Sequence, residues 1–570
     1  MNAYIEKILE NFRYHADDEF SVVGLEGETV TILWSDLEND CRAAVRCLNE
    51  SSAKPNNQAD SVVLIFLPHC AELFPCFLGS MLGGYVPSFM PCPSLKQDPD
   101  LYWKSHQELI CKIKPAAIIT NTEMLMQMKA SNLDLCGAAV VLESDVKLCS
   151  EELIKSGSEA VEFSEQSGDA IALLQHSSGT TGLKKGVALS FDAIHRHAVA
   201  YGNSLAITKD DVIVSWLPLY HDMGLIACFV TPAYHATKTV QISAFDWLNR
   251  PNKLFKLIAE HNGTLCWLPN FAFEHLSNTL GRYASRFELS SMRAFINCSE
   301  TCKARTFNRF ATVFSVAGVR PEMLKSCYAM AEVVYGVTQA PLCPSNDRLT
   351  VDRRFLGAGD EIQLVDQSEF SSELISCGVP VDGVEVSIVD VNRQPVLDGS
   401  VGEIAIRSTY LFSGYNKDPE RTSKNLIDGA YYTNDLGFLH DGNLYVLGRI
   451  DDLIIVNGRN LYAHEIEGLV SEVEGVKSGR AVAIPVFDEL AGSDVLVLMA
   501  ERAVNTTLSD REITNSIIVK IQSELDVVPG EVELTSVGSL VKTSSGKMSR
   551  KENKRRYLES LRQTDCRRAA

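Results

Sequence analysis

The chain has 570 residues, 45% of them hydrophobic and 22% charged, with a formal net charge of -20. That length is more than one hydrophobic core serves, so two to four structural units are expected. The acidic balance argues against broad nucleic-acid binding but leaves room for a small anionic ligand in a local positive pocket.

In chain order, the N-terminal run MNAYIEKILENFRYHADDEF carries acids in its first turns and lacks an apolar core, so it is not a secretory signal. The apolar stretch from Ser61 to Val86 is interrupted by Pro68, His69, Glu72 and Pro75. It predicts a buried strand followed by a core helix, not a membrane span. Between about 61 and 240 the short runs VVLIFL, AAIIT, AAVVLE, AIALLQH and DVIVSWLP alternate with helix-length amphipathic segments, the mark of an α/β layered fold. After Gly383 the texture turns to VEVSIVD, VGEIAIRS and GNLYVLGR, which predict a smaller β-rich subdomain with turns at DGS and DGN. From about Asp452, strands (AVAIPV, DVLVLMA) mix with helices (EIEGLV, DREITNSIIVKIQSEL), enough for a small α+β unit. The basic tail beyond Arg550 reads as a solvated C-terminal helix. Sixteen cysteines occur without CxxC pairs, and Cys298 and Cys302 lack partners at metal spacing, so reduced thiols in a cytoplasm are expected.

The chemistry begins at SSGTTGLKKG, residues 177–186. Glycines admit backbone N–H groups close to an anion, hydroxyls add donors and lysine adds charge. The spacing is not that of a Walker loop: Lys184 follows Gly179 by five positions, and the other Gly-Lys pair, Gly546-Lys547, leads into methionine.

HSSGTTGLKKGV is followed in order by LPLYHDMGL (217–225), INCSE (296–300), CYAMAE (327–332), YYTNDLG (431–437), GRIDDLIIVNGRNLYAHEIE (448–467) and KTSSGKMSR (542–550). This series resembles the motifs of the adenylate-forming superfamily, which includes acyl-CoA synthetases, luciferases, peptide-synthetase adenylation domains and fatty acyl-AMP ligases. The resemblance implies a large N-terminal α/β domain of several subdomains over 1–450 and a small mobile C-terminal domain over 451–570, with Asp451 at the hinge. It implies a carboxylate attacking the α-phosphorus of ATP to give acyl-AMP and pyrophosphate. On that reading Ser177, Ser178, Gly179, Thr180, Thr181, Gly182 and Lys185 hold the departing phosphates. Glu332 binds Mg²⁺, with Thr180 as a second ligand. Tyr328 stacks on adenine beside Ser299, Glu300, Ala329 and Met330. Asp435 takes the ribose hydroxyls with Arg449 as companion, His221 gates the nucleotide and acyl sites, and Lys547 swings onto the α-phosphate. Lys184 stands where the family usually has proline, and Ala329 where it usually has glycine.

Three details resemble the fatty acyl-AMP ligase branch: LYHDMGLI followed by WLPNFAFEHL, the Gly-Arg-Asn-x-Tyr pattern at 458–462, and an extended stretch at about 342–373. In that branch the insertion packs between the domains and leaves the phosphopantetheine of a separate acyl carrier protein as acceptor. Trp216, Asn270, Phe271 and Phe273 are the expected acyl-pocket residues. A synthetase using free coenzyme A, and a ligase for an aryl, short or amino acid, remain open.

Overall fold

The computed structural model describes residues 2–569 except 26–27, 52–60, 94–98, 157–160, 178–184, 344–346, 367, 369, 457–458, 489–492, 526 and 543–547. Its centre is a nine-stranded sheet. Six of its strands run parallel: Leu324–Ala329, Ala294–Asn297, Leu265–Leu268, Val212–Ser215, Lys238–Ile242 and Glu19–Gly24. Antiparallel strands close both edges, Thr29–Leu33 at one and Gly336–Gln339 with Val379–Pro380 at the other.

A second, four-stranded parallel sheet contains the predicted VVLIFL, AAIIT and AAVVLE strands together with Val86–Phe89. The run after VVLIFL forms the helix Leu73–Leu82, every residue of which is buried. The helix is apolar all round and packs within the main hydrophobic core, so the early hydrophobic stretch folds as expected. Among the described residues no helix is long and apolar enough to cross a membrane.

After Gly383, itself at φ +81°, the chain makes an antiparallel sheet from Val384–Val389, Gly402–Ser408, Ala430–His440 and Asn443–Arg449. The 342–373 stretch contributes an antiparallel pair, Arg348–Asp352 with Ser371–Ile375. Val351, Leu356 and Ile362 from this stretch share a core with Phe438, Tyr445 and Tyr462. The Tyr462 hydroxyl donates to the Leu356 carbonyl at 3.3 Å.

Beyond residue 452, the strands Val476–Asp488, Ser493–Arg502 and Glu531–Thr535 form one sheet. The helices Ala463–Val470 and Asp510–Leu525 pack on it around Ile466, Ile513, Ile517 and Ile521. The tail is the helix Arg550–Ala569, anchored by buried Tyr557.

One glycine is fixed by close approach. Gly378 sits at φ +86°, and a Cβ there would collide with the backbone of Gln339 and Ala340 where the central sheet ends. Gly378→Ala is expected to cost about 2 kcal/mol or more, read as a lower melting midpoint; an unchanged midpoint would contradict this packing.

Candidate active site

The apolar run AIALLQH forms the strand Ile171–Ser177, which returns as Lys185–Ser190 in an antiparallel hairpin. The register pairs Ser177 with Lys185, so the backbone closes the glycine-rich turn at its foot. Ser178, Gly179, Thr180, Thr181, Gly182 and Lys184 lie outside the described residues, as does the Ser177 side chain.

The free edge of this hairpin is taken by a segment that sequence reasoning missed. Gly414–Tyr415 pairs antiparallel with Val187 and Ala188, and its flanks donate from Ser413 N to Ala188 O and from Asn416 N to Gly186 O at 2.8 and 2.7 Å. That pairing aims the Tyr415 phenol at Glu332, donating to Oε1 at 2.7 Å. The Tyr431 hydroxyl lies 3.3 Å from the Tyr415 hydroxyl and also reaches Glu332. Lys185 Nζ stands 5.4 Å from the Tyr415 ring centroid. Burial lowers the Lys185 pKa, with Arg421 and Arg449 acting in the same direction and Glu332 opposing. The only cue to this segment was the Gly-Tyr pair in LFSGYNKDP, too short to read alone.

Glu332 is 8% exposed and lies in the one-turn 3-10 helix Ala331–Val333. The next residue, Val334, has φ +62° and ψ -59°, and Tyr335 N donates to Val333 O at 2.6 Å. That is a γ-turn centred on a β-branched residue, a strained conformation that persists only when its surroundings enforce it. It turns the chain so that Glu332 faces the hairpin while Tyr335 returns to the core.

Asp435 and Arg449 are directly opposed on neighbouring antiparallel strands, with Arg449 Nε 3.2 Å from Asp435 Oδ1. Asn434, at φ +63°, bends its strand there, and the Thr433 hydroxyl accepts from Asp435 N at 3.0 Å. The Tyr328 hydroxyl donates to Asp435 Oδ2 at 2.5 Å. Burial pushes the Asp435 carboxyl above its usual range against the pull of Arg449 and Tyr328. Thus Tyr328, Asp435 and Arg449 form one contact group, with Glu332 in electrostatic reach of Asp435 and Lys185 in reach of Glu332 and Arg449.

Ser299 sits at φ +71°, and the Glu300 carboxylate accepts from Phe271 N at 2.9 Å at the start of the helix Asn270–Leu280. Ala329 ends the strand Leu324–Ala329, and Met330 N donates to Tyr335 O at 2.8 Å. His221 Nδ1 is 2.6 Å from Asp222 Oδ1, just before the buried π-helix Met223–Val230. Gln175 donates to Tyr220 O at 3.1 Å, which ties the His221 loop to the strand Ile171–Ser177.

The expected acyl wall needs one correction. Phe271 and Phe273 do not face the same way, because positions i and i+2 of a helix diverge. Phe273 is fully buried, 5.6 and 5.0 Å from the rings of Phe307 and Phe310. Phe271 is 44% exposed and meets Trp216 and Trp247 edge-on at 6.1 Å each. Those tryptophans stack at 3.8 Å and 4°, so Trp247 packs directly behind Trp216 and Phe271. Asn270 Oδ1 accepts from Asn297 Nδ2 at 3.1 Å. A cavity of about 480 Å³ lies elsewhere, behind Tyr415, floored by Val62, Val86, Ile171 and Leu174. None of the four expected acyl-pocket residues lines it.

Asp451 is in the one-turn helix Ile450–Asp452 that follows Arg449. Lys547 lies outside the described residues; its flanks Lys542 and Met548 form an antiparallel bridge. Among the described residues no three His, Cys, Asp or Glu side chains gather as a metal cage. Glu332 offers a carboxylate beside Lys185, which suits Mg²⁺ held by one or two protein oxygens with the remaining positions left to phosphate and water.

The AMP-binding enzyme family profile matches residues 10–416. The chain is 28% identical over 554 residues to the medium-chain-fatty-acid–acyl-carrier-protein ligase JamA of Moorena producens, covering 94% of this chain and 91% of that protein. It is 29% identical over 526 residues to the long-chain-fatty-acid–AMP ligase FadD26 of Mycobacterium bovis, covering 87% of each. A solved structure from work on the fatty acyl-adenylate ligases of E. coli and L. pneumophila superposes with a TM-score of 0.86 at 25% identity, over 99% of this chain and 98% of that one. The profile spans well over half of the chain, and on that ground this protein is a member of the AMP-binding enzyme family.

Proposed function

We propose that this chain activates a fatty acid with ATP, forming acyl-AMP and pyrophosphate, and passes the acyl group to the phosphopantetheine thiol of a separate acyl carrier protein in the cytoplasm. The reading is carried by the convergence of Lys185, Glu332 and Tyr415 at the foot of a glycine-rich hairpin, beside the Asp435–Arg449 pair. Such a site collects positive charge and a metal-binding carboxylate where a polyphosphate chain would lie.

A carboxylate and ATP repel each other, so the reaction needs charge placed in advance at the α-phosphorus. Lys185 and the turn 177–184 take the β- and γ-phosphates. Glu332, with Thr180, would hold Mg²⁺, which would offset charge on the phosphate oxygens. Asp435 accepts from the ribose hydroxyls, Arg449 fixes Asp435, and Tyr328 stacks on adenine along Ser299, Glu300, Ala329 and Met330. His221, set by Asp222, stands between nucleotide and acid. Trp216, Asn270 and Phe271, joined by Trp247, wall the acyl chain. The unit 451–570 rotates about Asp451 to bring Lys547 to the attacking oxygen, and rotates away again to admit the thiol. The names of the relatives support the fatty acid and the carrier acceptor. The 342–373 stretch, packed on the β-rich sheet and Tyr462, supports a carrier over free coenzyme A.

Incubation with ATP, decanoate and either holo-carrier or coenzyme A separates the acceptors. The expected product is acyl-carrier; efficient acyl-CoA formation overturns the acceptor assignment. Lys547→Ala is expected to slow acid-dependent pyrophosphate release by about 10²- to 10³-fold, the scale of one lost electrostatic contact to the reacting centre, while ATP still binds. Tyr415→Phe is expected to slow the same step about tenfold or more, because a hydrogen bond to a charged group is worth about 1.5–3 kcal/mol. Its effect should vanish in a Glu332→Ala background, and equal effects in both backgrounds would refute action through Glu332. The two phenylalanines should separate cleanly. Phe273→Ala is expected to cost about 3–5 kcal/mol of stability, whereas Phe271→Ala should shift the KM across a chain-length series and leave the melting midpoint unchanged.

A further inference from the structure

We propose that Cys111 and Cys136 are a dithiol modification site, converted by a peroxide to a disulfide that ties the helix Pro99–Ile113 to the turn at 132–138. Their sulfurs lie 3.1 Å apart, roughly 1 Å more than a bonded pair requires. Cys111 is exposed and Cys136 partly so, within reach of a small oxidant.

The turn is held for this contact. Gln107, one helical turn before Cys111, clamps Asp134 from both sides: Nε2 donates to its carbonyl at 3.0 Å, and Oε1 accepts from its N–H at 2.8 Å. Nε2 also donates to Cys111 Sγ at 3.1 Å. Asp134 Oδ1 then accepts from Cys136 N at 2.8 Å. Cys136 itself has φ +53°, a left-handed conformation that glycine or asparagine fills at less cost. A strained cysteine, over-determined by its neighbours and aimed at a second thiol, is an outlier of the kind that marks function. The hydrogen bond to Cys111 raises the Cys136 pKa to about 11, and Cys111, the more exposed of the two, is assigned as the attacking sulfur.

The chemistry balances with hydrogen peroxide as oxidant. The Cys111 thiolate attacks one peroxide oxygen, the O–O bond breaks, and a sulfenic acid forms as hydroxide leaves and takes up a proton. The Cys136 sulfur then attacks the sulfenic sulfur, the S–O bond breaks, and water departs with the thiol proton as the disulfide forms. Two thiols are oxidised by two electrons in total, and one peroxide becomes two waters.

The bond would stiffen a support of the candidate active site. Immediately after Cys111, Lys112 Nζ pairs with Asp418 Oδ2 at 3.2 Å, and the Ile113 carbonyl accepts from Lys417 Nζ at 2.7 Å. Lys417 and Asp418 continue the segment that presents Tyr415 to Glu332.

The test uses the reduced full-length chain. It is treated with hydrogen peroxide, blocked with N-ethylmaleimide, digested without reductant and mapped by mass spectrometry, with exposed Cys343 as the control for general thiol oxidation. The expected result is a Cys111–Cys136 cross-linked peptide, cleaved by dithiothreitol, together with a higher melting midpoint in the oxidised form. Cys136→Ser should abolish both and leave sulfenic acid on Cys111. Recovery of Cys111 and Cys136 as separately alkylated or over-oxidised residues, or linked to other cysteines instead, overturns the proposal whether or not the chain is an acyl ligase.

Discussion

The hydrogen bond from the Tyr415 phenol to Glu332 ties three distant parts of the chain into one site. Its acceptor follows a strand of the central sheet, and its donor rides on the edge of the phosphate hairpin. Phe412 N donates to the Glu332 carbonyl at 2.9 Å, so backbone and side chain of the same glutamate are both held from the 412–415 segment. Held this way, its oxygens are placed beside Lys185 before a cation arrives, the condition under which fixed groups contribute most to a reaction between anions.

A second set of contacts joins the base-side segment after INCSE to the helix Ala463–Val470. Thr301 Oγ1 lies 3.3 Å from His464 Nε2, and Arg305 pairs with Glu472. Lys303 Nζ passes over Gly468, 2.5 Å from where a Cβ would stand. Burial drives the His464 pKa down to about 3, so this histidine is neutral across the physiological range. These contacts are polar, whereas Tyr462 and Leu453 of the same unit pack in the apolar cluster with Leu356, Phe438 and Tyr445, so the proposed rotation about Asp451 has to uncover that cluster as well.

What the sequence made legible follows from which forces act locally. Strands such as VVLIFL and the wholly apolar helix after it announce themselves because burial on every face leaves a continuous hydrophobic run. The motifs around Lys185, Glu332, Asp435 and Arg449 are short and contiguous, and their residues meet in space. Tyr415 escaped notice because its role comes from pairing with a strand more than two hundred positions earlier. Trp247 was missed for the same reason: its partner Trp216 belongs to another element, and no periodicity links the two. Phe271 and Phe273 point different ways, which the motif does not show, because adjacency in a motif says nothing about helical phase. Val334 holds a backbone turn that a β-branched residue does not advertise, and only the surrounding structure enforces it.

The central claim is that a carboxylate oxygen attacks the innermost phosphorus of the nucleotide, and isotope tracing tests it most directly. A fatty acid labelled with ¹⁸O in both carboxyl oxygens is turned over with ATP and an acceptor thiol, and the phosphorus products are read by mass spectrometry. The account requires one ¹⁸O atom in AMP and none in pyrophosphate. Label in inorganic phosphate, or AMP released without label, would contradict it.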